Sequence, residues 1–236
     1  MGDVTIDERF CGPADSANGG YACALAARWV HGPAEVTLRV PPPLGRPLTV
    51  RREDEGRVLL LDGELVVAEA GPATPVVDVP EAVSPADAAL AAARYPWRAA
   101  HPYPRCFVCG IERPPGDGLR IFPGPVAGRR LYAAPWTPDP ELADGDGIVR
   151  EEFVWCALDC PSGIVTTVWP GLGRPILGRL AADLRLPVHA GAPHVVQAWP
   201  IDRDGRKLHT ASALFTAGGE LCGVARATWI EVLERG

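Results

Sequence analysis

Two stretches of this chain are apolar on nearly every face and long enough to form helices. The first is Tyr21-Ala22-Cys23-Ala24-Leu25-Ala26-Ala27-Arg28-Trp29-Val30, stopped by His31-Gly32-Pro33. The second runs from Val149 to about Val168, with Pro161 and Gly163 placed to end it early or kink it. A short helix that is apolar all round belongs inside a protein. After the first helix the pattern shortens into strand-like runs: Glu35 to Val40, Pro47 to Glu53, Arg57 to Leu61 and Glu64 to Ala70. Glu55-Gly56 and Asp62-Gly63 between them are hairpin signals. Leu119 to Phe122 and Arg129 to Ala134 read as strands ahead of the second helix. Arg179 to Leu186, His194 to Ile201, Lys207 to Thr216 and Leu221 to Val232 read as strands after it, with turns at Asp204-Gly205 and Gly218-Gly219. Residues 71 to 105 break the pattern with a Pro/Ala-rich stretch. Ser84-Pro85 there supplies an N-cap and a first-turn proline for a short surface helix, Ala86 to Arg94.

The order helix, then four strands, therefore occurs twice. The repetition reaches individual residues. Leu38-Arg39-Val40-Pro41, followed by Gly45 and Pro47, matches Leu184-Arg185-Leu186-Pro187, followed by Gly191 and Pro193; Gly56-Arg57 then matches Gly205-Arg206. Duplication explains this better than coincidence. It divides the chain into an N-terminal half at 1–80, a linker with a short helix at 81–105, and a C-terminal half at 106–236.

The 236 residues allow one large domain or two small ones. The net charge of −6 argues against a nucleic-acid binder, which would carry a basic surface. No segment approaches the roughly 18–20 uninterrupted apolar residues of a membrane span. Met1 to Phe10 has no apolar core of a secretory signal, so a cytoplasmic protein is expected, without membrane or nucleic-acid partners. The seven cysteines are an odd number without a dense framework and read as free thiols of a reducing compartment.

A buried helix wrapped by a curled antiparallel sheet and begun by a Gly-Gly pair resembles the hotdog fold. Asn18-Gly19-Gly20-Tyr21-Ala22-Cys23-Ala24-Leu25 is similar to the helix start of double-hotdog acyl-CoA thioesterase-like proteins. Cys106-Phe107-Val108-Cys109-Gly110, then Gly118-Leu119-Arg120-Ile121-Phe122, resembles the opening of single-hotdog thioesterase-like proteins related to the phenylacetate-pathway enzymes. The resemblance implies an α+β double hotdog, two tandem subdomains with curled antiparallel sheets around central helices. It also implies hydrolysis of an acyl-CoA or related thioester. Coenzyme A enters only as part of the substrate, no other cofactor or metal is expected, and the edge strands make a homodimer the expected assembly.

Thioester hydrolysis needs a group that holds the developing oxyanion and a group that attacks or activates water. The unpaired N–H groups at a helix start supply the first, and glycine lets a substrate approach them. Gly19 and Gly20, helped by Asn18, fit that role. Single-hotdog relatives carry an acid about nine positions after the residue at the place of Asn18, which there is histidine; in this chain that slot is Ala27. The second half has the acid, Asp159, but Arg150-Glu151-Glu152 where the glycines would be. Nine residues of helix span about 13 Å, so an acid there serves the start of a partner helix rather than its own. The halves are complementary, and one composite site per chain is expected: Asn18-Gly19-Gly20 with Asp159 as nucleophile or general base. The threonine and glutamine that some double-hotdog enzymes add have no match at the start of the Arg179 strand or near Leu221-Cys222. Tyr21, Trp155 and Trp169 are the expected substrate-pocket residues.

Each feature has a blander reading. Asp159 could pair with an arginine such as Arg179, and the glycines could serve close packing. One Cys-x-x-Cys offers two ligands where structural zinc takes four. Cys156 and Cys160 could complete a set, but they sit on the buried helix beside the acid, so a turn packed on the sheet is the simpler reading. Ser162 lacks the Gly-x-Ser-x-Gly setting of a nucleophile. Gly171-Leu172-Gly173-Arg174 lacks a dinucleotide loop's third glycine. The alternative function is a hotdog protein that binds an acyl or other hydrophobic ligand without turnover.

Overall fold

The computed structural model describes residues 2–232; Met1 and 233–236, the outermost residues of the two expected halves, lie outside the described residues. Helix α1 (Gly19–Ala27) has small and apolar side chains throughout, and every residue from Gly20 to Ala27 is buried. Asn18 caps it, its side-chain oxygen accepting from the Tyr21 N–H at 3.0 Å. The strands β1 (Asp3–Thr5), β2 (Ala34–Leu38), β3 (Pro47–Arg52), β4 (Val58–Asp62) and β5 (Leu65–Pro72) belong to the first half. Helix α2 (Pro85–Ala92) follows, then β6 (Gly124–Pro125), β7 (Tyr132–Trp136), helix α3 (Glu151–Ile164), β8 (Arg174–Leu184), β9 (His194–Asp204), β10 (Lys207–Thr216) and β11 (Leu221–Val232).

All the strands join one antiparallel sheet in the order β1-β3-β4-β5-β2-β8-β11-β10-β9-β7-β6. The order is a mirror about the β2–β8 pair, where Ala34 lies opposite Ala182 and Thr37 opposite Arg179. The β3-β4-β5-β2 block on one side corresponds to β9-β10-β11-β8 on the other, and α1 corresponds to α3. The repeat seen in the sequence falls at equivalent places. Leu38 and Leu184 end β2 and β8, and the Gly56 and Gly205 turns, both at positive φ, join β3 to β4 and β9 to β10. This is a double hotdog: two curled half-sheets fused edge to edge, with α1 and α3 packed against each other inside.

Three expected elements differ. Leu119–Phe122 is not a strand. Gly118 (φ 83°) and Arg120 (φ 53°) interrupt the extended backbone, and the segment instead bonds the preceding turn through Leu119 N–H to Phe107 O (2.8 Å) and Ile121 N–H to Val108 O (2.9 Å). The strand expected at Arg129–Ala134 is displaced to Tyr132–Trp136, because Gly128 (φ 70°) and the residues after it form the turn. Pro161 does not end α3. The helix runs on to Ile164, and the hydroxyls of Ser162 and Ser212 donate to the carbonyls of Asp159 and Leu158 beside the proline, at 2.7 and 2.5 Å.

The chain between the halves is packed. Helix α2, capped by Ser84, buries Ala88 and Ala91 on the sheet face opposite α3, in a small core with Val83, Ala133, Val195 and Phe215. Alternate residues of β9 thus face two cores, which is why His194 to Pro200 is buried without interruption. Gln197, fully buried, fastens the segment ahead of α2: its Oε1 accepts from Val83 N–H (3.0 Å) and its Nε2 donates to Pro80 O (3.1 Å). Gln197→Ala orphans both groups and is expected to cost about 2 kcal/mol. In limited proteolysis the first new cut is expected between residues 76 and 94; urea midpoints and fragment masses check both parts.

Candidate active site

The two helices bring the sequence-separated pieces into contact. Gly20 N–H donates to Asp159 Oδ2 at 2.8 Å, so the acid of α3 lies against the start of α1. The approach is as close as packing allows. A Cβ on Gly20 would lie 2.6 Å from Asp159 Cβ, 2.9 Å from the Trp155 carbonyl oxygen and 3.0 Å from Cys156 Cα. Close packing and proximity to the acid are therefore the same feature of Gly20. Gly19, one residue earlier, lines the adjoining cavity, and its N–H is the first of the helix, without an intrahelical acceptor.

Asp159 is 1% exposed. Among the described residues its Oδ1 meets no hydrogen-bond partner, and no arginine answers its charge. Arg179 instead binds Glu35 and Thr37 at the β2–β8 seam, at 3.2 and 3.0 Å. Burial pushes the Asp159 carboxyl up to about 7, against the opposing pull of the Gly20 N–H. A buried carboxyl with one oxygen held and the other free is costly for the fold.

The cavity beside it has a volume of about 310 Å³ and is mostly apolar. Asn18, Gly19, Asp159 and Cys160 form one wall; Val40, Leu177, Trp97, Tyr103 and Trp229 line the rest. Of the expected pocket residues, Tyr21, Trp155 and Trp169 do not line it. Tyr21 stacks on Phe10 (ring centroids 4.2 Å), Trp155 is buried in the α1–α3 contact with its carbonyl toward Gly20, and Trp169 borders a separate, shallower cleft. Trp97 and Tyr103 come from the irregular segment between the halves, where no periodicity marks them. Trp229 alternates inward along β11 and was open to that reading.

Ser162 supports the site instead of reacting. Its Oγ donates to the Asp159 carbonyl and accepts the Trp229 Nε1–H at 2.9 Å, tying the cavity wall to the acid's turn. Ser162→Ala leaves the buried indole N–H without its acceptor and is expected to lower stability by about 1–3 kcal/mol, read from the urea midpoint.

The thiols near Asp159 form a group. Cys106, Cys109 and Cys160 have all three sulfurs within 4.8 Å of one another, and Cys106 Sγ is 3.6 Å from Cys160 Sγ. Cys156 stands apart and bonds Asn18 Oδ1 at 3.2 Å. Hydrogen bonds from the Cys109 and Cys160 thiols hold Cys106 well below the ordinary thiol range, against its burial. At the equivalent place on the other side of the α1–α3 pair stand Ala27 and Arg150-Glu151-Glu152. Arg150 lies over the Phe153 ring and within 3.6 Å of Glu152, so that end of α3 carries acids where the first site has glycines.

Neither a protein-family model nor a curated protein sequence matches this chain. Solved structures do. A protein named as a thioesterase from Novosphingobium aromaticivorans shares 13% identity at a TM-score of 0.64, over 98% of this chain and 95% of that one. One named as an oleoyl thioesterase from Lactobacillus plantarum shares 10% at 0.61, over 99% and 96%. The tesB protein of Mycobacterium avium subspecies paratuberculosis shares 15% at 0.59, over 94% and 89%. At these identities the likeness is one of fold, and it extends over nearly the whole chain: the architecture is that of a double hotdog. Among the described residues no helix is long and apolar enough to cross a membrane.

Proposed function

We propose that the chain hydrolyses an acyl-CoA or related thioester in the single composite site between the start of α1 and Asp159. The observation that carries this is the 2.8 Å contact of Gly20 N–H with Asp159 Oδ2, which leaves Oδ1 unpartnered on a residue that lines an apolar cavity. A thioester whose acyl group enters that cavity brings its carbonyl between the Gly19 N–H and Asp159. The Gly20 N–H is taken up in orienting the acid, so the first N–H of the helix, on Gly19, is the group left to receive the oxyanion. Asp159 Oδ1 then takes the proton of an attacking water, and the thiolate of coenzyme A leaves; or it attacks the carbonyl itself, expelling the thiolate to give a mixed anhydride that water then cleaves to free acid and restored carboxylate. The whole-chain likeness to proteins named as thioesterases supports the reaction class. The size of the cavity, at the low end of small-molecule sites, favours an acyl group over a bulkier substrate.

A second reading is binding without turnover. It is favoured by the Gly20 N–H being occupied by Asp159, which leaves fewer donors for an oxyanion than a pair of open glycine N–H groups would offer. One experiment separates the two: release of free thiol from a panel of acyl-CoAs of increasing chain length, with binding of the same panel followed by calorimetry. Hydrolysis predicts catalytic thiol release for at least one acyl length; binding alone predicts saturable heat and no release above buffer.

A further inference from the structure

The thiols on the cavity wall come from distant parts of the chain. Cys106 and Cys109 lie in the tight turn that opens the second half, and Cys160 lies on α3, next to Asp159. The turn is fixed by its own backbone, Gly110 N–H donating to Cys106 O at 2.9 Å. It is fixed again from the first half, Phe107 N–H donating to Cys11 O at 2.8 Å. A Cβ on Gly110 would strike the Cys106 backbone at 2.5 and 2.6 Å, so the turn's shape requires glycine at this position.

The sulfurs meet a side-chain donor. Asn18 Nδ2 reaches Cys160 Sγ at 3.4 Å and Cys106 Sγ at 3.9 Å. Neutral thiols are weak acceptors and would make little use of such a donor; thiolates bound to a metal use it as outer-shell support. The spacing agrees. With zinc–sulfur bonds of about 2.3 Å, two sulfurs of one tetrahedral ion lie about 3.8 Å apart. The observed Cys106–Cys160 distance is 3.6 Å, and all three pairs lie within 4.8 Å. An independent sign that the wall faces a ligand is the fully buried, unpartnered Oδ1 of Asp159, a residue that lines the same cavity.

We propose that Cys106, Cys109 and Cys160 together bind one zinc-class divalent ion, with the fourth coordination position taken by a small ligand from the cavity. Thiolate ligands select such a borderline-soft cation over magnesium or calcium. The ion fastens the opening turn of the second half to α3 and thereby fixes the wall against which Asp159 stands. It stands whether or not the site turns over a thioester.

The test uses the full chain, grown with added zinc and purified under reducing conditions. Mass spectrometry of the metals is expected to find about one zinc per chain. Replacing zinc with Co²⁺ is expected to produce thiolate-to-cobalt charge-transfer absorption and the visible bands of a tetrahedral ion. Cys109→Ser is expected to weaken metal binding at least about 100-fold, whereas Cys222→Ser, on a cysteine of β11 outside the group, retains it. If Cys109→Ser does not fold, the cobalt spectrum of the unaltered chain decides alone. The proposal is overturned if the reduced protein binds neither zinc nor Co²⁺, if a folded Cys109→Ser keeps its metal, or if the three residues are isolated as a disulfide and a thiol.

Discussion

Asp159→Asn is expected to lower thiol release from the best acyl-CoA about 1,000-fold, in the range of losses for removing a general base. The substitution is nearly isosteric, and an asparagine oxygen still accepts the Gly20 N–H that Asp159 Oδ2 accepts now. The contact between α1 and α3 therefore survives, and circular dichroism and the urea midpoint are expected to show a folded protein. What is lost is the group on the free side. Oδ1 has no protein partner among the described residues, and the amide that replaces it cannot take a proton from water. The split of the loss is informative. Binding of the acyl-CoA depends on the apolar walls formed by Val40, Leu177, Trp97, Tyr103 and Trp229, which the substitution does not touch. The loss is thus expected in kcat with KM little changed. Turnover within about threefold of the unaltered chain would remove Asp159 from the mechanism.

Gly20→Ala carries the second large effect, through packing. The added carbon meets Asp159 Cβ, the Trp155 carbonyl oxygen and Cys156 Cα, all within 3.0 Å. Two of these three atoms are backbone, so relief requires the helices to move apart. Overpacking of this kind costs about 1–3 kcal/mol. Moving the start of α1 from Asp159 also lengthens the 2.8 Å contact that orients the acid. A displacement of about 1 Å in a catalytic pair lowers rates about 100-fold. Both effects are read from one sample, by urea midpoint and by kcat/KM. Gly19→Ala is the useful comparison: its Cβ would first meet Leu177 Cδ2 at 2.7 Å, a terminal methyl that can rotate, and Leu177 Cβ at 3.0 Å, not the backbone of α3, so the stability loss is expected to be smaller. A Gly20→Ala protein with unaltered stability and turnover would contradict the packing account.

The two helices were legible because neither has a polar face. A nine-residue helix buried from Gly20 to Ala27 leaves no alternative to the interior. Asp159 was legible for the same reason, as the one carboxylate in the apolar run from Phe153 to Val165. The pairing of Gly20 with that acid followed from counting positions in two halves that each lacked what the other had. The chain between the halves resisted reading. Trp97 and Tyr103 reach the cavity from irregular backbone, which has no period to betray which side a residue faces. Leu119–Phe122 has a strand's composition, but positive φ at Gly118 and Arg120 is not visible in hydrophobicity. The meeting of Cys160 with the Cys106 turn depends on the path of the chain between them, which local pattern does not carry.

The most direct measurement is a crystal structure with a 2-oxoalkyl-CoA, in which a methylene separates sulfur from carbonyl and the bond cannot be hydrolysed. The account predicts the ketone oxygen about 3 Å from the Gly19 N–H and the carbonyl carbon within about 3.5 Å of Asp159 Oδ1 or of a water that it holds. An analogue bound with its carbonyl outside this cavity, or more than about 6 Å from Asp159, would contradict it.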